Sequence, residues 1–296
     1  MITSPFLVGR DRYERTTEGW VDNTHEDAFT HTVAITDDDC SIELSVIGTP
    51  SPGYEVREAR GRILGGPVDP AIAHALGRLS GTRMTAGFTK RLVEVCGFAT
   101  GGWLFVDAGI EVARLARQAT KLPAEATAGL ERGDALRCWQ LDTTGWIDLP
   151  NSCFTYSEAG RALLGTRPVS TPMVPELYTP PAGAKRIFVR KKLSRLVLTA
   201  RRLHLFHSMH DNVHGFDLHY EVDLDSRTIV AADSITSRLP YQGICTEPQG
   251  KIAAMIGQPA DASLRKRIQG LLGGEAGCAQ LYDLTADVLK LVTFPS

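Results

Sequence analysis

Apolar and polar residues alternate with two different periods along this chain. CSIELSVI (residues 40–47), YEVREARGRIL (54–64) and FDLHYEVD (216–223) place apolar side chains at every second position, the period of a strand with one buried face. A Pro-Gly turn precedes the second of them. The period then lengthens. VDPAIAHALGRLSG, TAGFTKRLVEVCG and VDAGIEVARLARQATKL read as three helices separated by glycines suited to C-caps and tight turns. Strands followed by helices, without βαβ alternation, predict an α+β fold.

The pattern also repeats. Shifted by 176 positions, residues 81–115 align with residues 257–291 without a gap. Identities include Gly81/Gly257, Lys90/Lys266, Arg91/Arg267, Gly97/Gly273, Gly101/Gly277 and Asp107/Asp283. Phe88, Leu92, Val95 and Leu115 face Leu264, Ile268, Leu271 and Leu291, so the helical period is kept with the letters. TTEGWVD (16–22) resembles TTGWID (143–148), and Phe29-Thr30-His31 resembles Phe154-Thr155-Tyr156. The expectation is two duplicated modules, 1–125 and 126–296, each of antiparallel strands followed by about three helices and related by a pseudo-twofold axis. The second carries a Pro-rich insertion at about 157–200, whose TRPVSTPMVPELYTPPAGAK is unsuited to a helix or central strand. It reads as a surface linker, or as an arm over the other module or over a second subunit in a homodimer.

Composition narrows the partners. With 296 residues and a net charge of −2, nothing global draws nucleic acid or a membrane surface to the chain. The N-terminus lacks a basic segment followed by a long apolar one, and no apolar run approaches the length of a membrane span, so a cytoplasmic protein is expected. The six cysteines form no CxxC pair and read as free thiols.

Five of the eight histidines, His204, His207, His210, His214 and His219, fall within HLFHSMHDNVHGFDLH. Strand alternation puts His219 on a solvated face and separates His207 from His204 and His210, while Asp211-Asn212 and Gly215 allow the chain to turn back. His207, His210 and His214 are the candidate metal ligands, with His210 and His214 also candidate general bases; the bland alternative is polar residues capping strand ends. Upstream, KRIFVRKKLSRLVLTARR (185–202) is basic without an acid. It is either a solvated strand with basic edge positions or an anion clamp in which Arg190, Arg195, Arg201 and Arg202 hold a carboxylate or a haem propionate. Cys278, ahead of a helix, is either a catalytic thiol or a packing residue. Trp20 and Trp146 occupy matching places in the proposed modules and read as core, or with Trp103, Trp139, Tyr13 and Tyr156 as the walls of an aromatic pocket.

PYQGIC (240–245), with LLGGEAGCAQLYDL (271–284) beyond it, resembles an uncharacterised bacterial domain-of-unknown-function family. That family shows a His-Asp-Met strand start, a Pro-Tyr/Phe-x-x-Cys turn and a closing Gly-Gly-x-x-Gly-Cys-Thr-His-Leu. His214-Gly215-Phe216, Cys245 and Cys278 match it here, whereas Cys278-Ala279-Gln280-Leu281 departs from Cys-Thr-His-Leu. The spaced cysteines also faintly resemble iron-sulfur scaffold proteins. The resemblance implies a fold and supplies no reaction. Histidines beside arginines lead to the expectation of a catabolic oxygenase with a His-ligated haem or iron, acting on a small apolar or aromatic, phenylpropenoid-like substrate. The same residues suit a cofactor-free lyase or hydrolase with a His general base. A non-catalytic binding or assembly module is the reading in which they are incidental.

Overall fold

Eight strands form one antiparallel sheet, described with the surrounding helices for residues 2–146 and 149–293 by a computed structural model. The first half supplies β1 (Arg12–Asp22), β2 (Phe29–Asp37), β3 (Ser41–Gly48) and β4 (Val56–Gly65), then α1 (Ala71–Ala75), α2 (Phe88–Cys96) and α3 (Gly102–Leu115). A connecting stretch carries α4 (Ala135–Gly145) and α5 (Glu158–Leu163). The second half supplies β5 (Phe188–Leu198), β6 (Arg202–Asp211), β7 (Gly215–Asp223) and β8 (Thr228–Arg238), a 3-10 segment, α6 (Leu264–Leu272) and α7 (Ala279–Leu289). The strand order is β4-β3-β2-β1-β5-β6-β7-β8. Two four-stranded meanders therefore meet at their first strands, with Tyr13 opposite Leu196 and Gly19 opposite Arg190.

The strand alternation is borne out where it was read. β3 buries Ile42, Leu44, Val46 and Gly48 and leaves the residues between them half-buried. The core-facing side lies under the helices and 3-10 segments, with α3 packed over β1 to β3, α7 over β6 and the 3-10 segment after β8 over β8. Close approach depends on small residues at two points. A side chain on Gly19 would come within 2.8 Å of Leu115 Cδ1, and one on Gly109 within 2.5 Å of Leu92, so β1 against α3 and α2 against α3 are both spaced by a missing Cβ. Each fully buried leucine here, such as Leu92, Leu104 and Leu115, contributes about 1.5–3 kcal/mol of apolar transfer.

Three expectations change. Thr143-Thr144-Gly145 ends α4 and opens no strand; Ile147 and Asp148 of the matching stretch lie outside the described residues. Trp20 and Trp146 are consequently unlike: Trp20 is half-buried with the Arg186 guanidinium 4.8 Å from its ring, and Trp146 is 2% exposed. Finally, the basic segment is not an edge strand, and only one of its faces is solvated, Lys191 and Arg195 lying on the open side. β5 begins within the supposed insertion and pairs on both sides, so alternation turns Arg190 and Lys192 inward beneath the helices.

Those inward cations meet acids spaced along one face of each covering helix. Arg190 Nη1 contacts Glu111 Oε1 at 3.1 Å, and Lys192 Nζ lies 2.7 Å from Glu111 Oε2 and 2.6 Å from Asp287 Oδ2. Arg114 Nη1 reaches Asp287 at 2.7 Å, Lys290 bridges Asp287 and Asp107, and Arg15 of β1 holds Asp107 at 2.7 Å. Burial would raise the pKa of Glu111, but Lys192, Arg190 and Arg114 outweigh it and hold the carboxyl at about 2.

Removing one partner from such a buried set strands the others without compensation, at about 3–5 kcal/mol. Glu111→Gln is therefore expected to lower the unfolding free energy by about that much in urea titration at pH 7. Because the folded pKa lies below the unfolded one, this stabilisation is complete above about pH 4.5 and is lost as pH falls towards 2. Equal stability of variant and parent at pH 7 would show the network to be energetically idle.

Candidate functional site

Where the end of α3, the start of α7 and the β6–β7 turn meet α4, they line a partly open cavity of about 130 Å³. Trp146, Leu149, Met173, Val213, Phe216 and Leu239 supply apolar walls. A cavity of about 150 Å³ lined by such groups accommodates benzene, so this one suits a molecule with a single ring.

Two ionisable groups enter that space with prepared surroundings. His214 closes the tight β6–β7 turn, in which the Asp211 carboxylate accepts the backbone N–H groups of Val213 and His214 at 2.8 and 2.6 Å. The same carboxylate sits 3.1 Å from His214 Nδ1 and accepts Arg190 Nε at 2.7 Å. Burial would raise the pKa of Asp211, but His214 and Arg190 outweigh it and keep the group ionised. An ionised acceptor fixes Nδ1 as the protonated nitrogen and leaves Nε2 as the basic one.

The second group is Asp142, 1% exposed near the end of α4. Three hydroxyls donate to it: Tyr156 at 2.6 Å, Tyr178 at 2.7 Å, and Tyr241. Burial raises its pKa to about 6 despite these donors. Burial beside the carboxylate pushes all three tyrosines upward, so they remain donors throughout the neutral range.

Cys153, Cys245 and Cys278 line the same cavity. Thr155 Oγ1 lies 2.9 Å from Cys245 Sγ. Burial pushes every one of these thiols upward, Cys278 to about 11, so despite its place at the start of α7 it is a neutral thiol at pH 7.

The other expected ligands are not brought together. His207 lies beneath the helices, with Nδ1 2.8 Å from Ser194 Oγ, and burial followed by Lys192 lowers its pKa to about 3. The space beside it is about 20 Å³, room for one water, and Lys192, Lys290 and Arg114 would oppose a metal cation there. His210 points to the opposite, open face of the sheet and pairs with Asp217 at 3.1 Å. The proposed clamp is dispersed as well: Arg190 engages Glu111 and Asp211, Arg195 engages Glu14, Arg201 engages Asp225 and Arg202 engages Asp223. Among the described residues, the histidine, cysteine and acidic groups close enough to share an ion are His204, His219 and Glu221.

Of the residues singled out in the sequence, His214, Cys245, Cys278 and Tyr156 line this cavity, whereas Asp142 with Tyr178 and Tyr241 was missed as a unit. One signal was available: in ALRCWQLDTTG the buried positions Ala135, Cys138, Leu141, Asp142 and Gly145 recur at helical spacing, which puts an acid on the apolar stripe.

A protein family described as a protein of unknown function (DUF2889) matches residues 198–293, from the end of β5 past α7. The matched stretch contains His214, Asp211, Tyr241, Cys245 and Cys278, while Asp142, Tyr156 and Tyr178 precede it. No curated protein and no solved structure matches the chain. Among the described residues no helix is long and apolar enough to cross a membrane.

Tyr178→Phe removes one donor to the ionised form of Asp142. It is expected to raise that carboxyl's pKa above about 6, read by carboxyl NMR titration, and to cost about 1–3 kcal/mol in denaturant unfolding. Since folded Asp142 binds its proton more tightly than the unfolded chain does, its contribution to stability declines as pH rises from about 4 to about 6 and is level above that. A pKa unmoved in Tyr178→Phe would remove the hydroxyl cluster as the group tuning this acid.

Proposed function

We propose that the chain is a cofactor-free lyase or hydrolase acting on a small apolar or aromatic molecule, with His214 as general base and Asp142 as general acid. The observation that carries this reading is the Arg190–Asp211–His214 chain ending in the same apolar cavity as a carboxyl poised near pH 6. A base needs an orienting partner on its far nitrogen, and Asp211 is held to that task by Arg190. When Nε2 takes a proton from the substrate or from an attacking water, the imidazolium is stabilised by Asp211. Asp142 gives its proton to the leaving or rearranging group, and the resulting carboxylate is received by three tyrosine donors. Transfer of the proton from His214 back to Asp142 restores both groups. A haem- or iron-dependent oxygenase draws no support from the separate positions of His207, His210 and His214.

Within the same proposal the chain is a duplicated module with pseudo-twofold symmetry. Support comes from the shift of 176: Arg12–Asp22 moved by that amount falls on Phe188–Leu198, and Phe88–Cys96 falls on Leu264–Leu272. Asp107, Glu111 and Arg114 likewise fall on Asp283, Asp287 and Lys290, the charged groups of the buried network. β1 rather than the TTGW stretch is then the counterpart of the start of the second half.

The test is a turnover screen of single-ring aromatic esters, hydroxy compounds and alkenes, run with and without oxygen and chelator. Turnover is expected to persist in both conditions and to fall by about 10²–10⁴ in His214→Gln and in Asp142→Asn, with His210→Gln unaffected. Turnover abolished by chelator or by removal of oxygen would overturn the reading, as would full activity in His214→Gln.

A further inference from the structure

The two histidines that strand alternation assigns to solvent are the ones the sheet brings together. β6 and β7 pair so that His204 stands directly opposite Glu221 and Phe206 opposite His219. His204, His219 and Glu221 all project from the open face, where the helices do not reach, and each is half-buried. His204 Nδ1 lies 3.4 Å from Glu221 Oε1. The rings of His204 and His219 lie nearly parallel, 22° apart with centroids 6.0 Å apart. One ligand atom from each of the three residues falls within 4.8 Å of the others.

We propose that this triad is a binding site for a divalent transition ion of the zinc type, separate from the cavity and independent of the reaction proposed there. Ligand atoms about 2.1 Å from a tetrahedral zinc are roughly 3.4 Å apart. The His204–Glu221 pair already has that spacing, and His219 reaches it by small side-chain rotations. Two imidazoles and a carboxylate match the borderline character of zinc, and three protein ligands leave the remaining position to water on the open side. Rigid strands fix the three Cα positions, since Glu221 and His219 are two apart on β7 and His204 is their cross-strand neighbour. The cavity thiols are a different set on the opposite face of the sheet.

The test is calorimetric titration of the tag-free, chelator-stripped full chain with zinc, and an absorption spectrum of the cobalt-loaded protein. One equivalent of zinc is expected to bind, with affinity falling at least about ten-fold in each of His204→Ala, His219→Ala and Glu221→Gln. His210→Ala, on the same face, leaves it unchanged. Cobalt is expected to give visible bands of a low-symmetry nitrogen and oxygen site without sulfur-to-metal charge transfer. Circular dichroism is the check that every variant, the histidine and glutamate ones of the open face and the two cysteine ones, remains folded. Absence of saturable binding would overturn the proposal. So would binding that survives all three substitutions, or that is lost in Cys153→Ala or Cys245→Ala with a thiolate band in the cobalt spectrum.

Discussion

Beside its hydrocarbon core, the layer between the two middle strands and their covering helices is pinned by buried ion pairs. Arg15, Arg190 and Lys192 point from the two middle strands into the layer between sheet and helices, and Asp107, Glu111 and Asp287 descend from α3 and α7 to meet them. Ion pairs out of water recover their desolvation cost only if each charge is fully satisfied, so the helices must sit where their acids reach the strands. An apolar interface tolerates sliding because dispersion is non-directional. The pairing here has distances and angles, and it fixes the rotation of α3 and α7 about their own axes.

Arg190 ties this arrangement to the cavity. One edge of its guanidinium contacts Glu111 and the other contacts Asp211, which orders the turn carrying His214. The base proposed for catalysis is thus oriented through a chain that begins in α3. A shift of that helix would reach the imidazole without any residue of the cavity moving first. Asp142 is arranged separately, by tyrosines from α5's approach, from the Pro-rich connection and from the turn after β8, so the two proton-bearing groups answer to different parts of the fold.

Strands β3, β4 and β7 and the α2–α3 helices were legible in the sequence because their periods are clean and glycines mark their ends, and the α6–α7 helices through their alignment with α2 and α3; β1, β2 and β8 were not assigned, and β5 fell within the supposed insertion. The short identity between residues 16–22 and 143–148 misled because identity of letters carries no period. Around Gly145 the buried residues recur every three or four positions, around Gly19 every two. The inward turn of Arg190 and Lys192 could not be read from β5 alone, since a strand does not declare its neighbours. His219 shows the same gap: its exposure follows from alternation, but its nearness to His204 is a matter of register between two strands. Asp142 was hidden because an acid within an apolar stripe reads as an interruption of the pattern until the tyrosines that receive it are seen.

The junction of the two meanders also has a consequence for how the chain is made. β1 finds β2 almost at once, but its other edge waits for β5, which begins only at Phe188. At about 5–20 residues per second of synthesis, that edge stays open for roughly ten to thirty seconds. An open edge invites pairing with a neighbouring nascent chain, and charged side chains discourage it. β1 carries Arg12, Glu14, Arg15 and Glu18, and two of them, Arg15 and Glu14, later hold Asp107 and Arg195. The same charges that lock the finished sheet keep its unfinished edge from sticking.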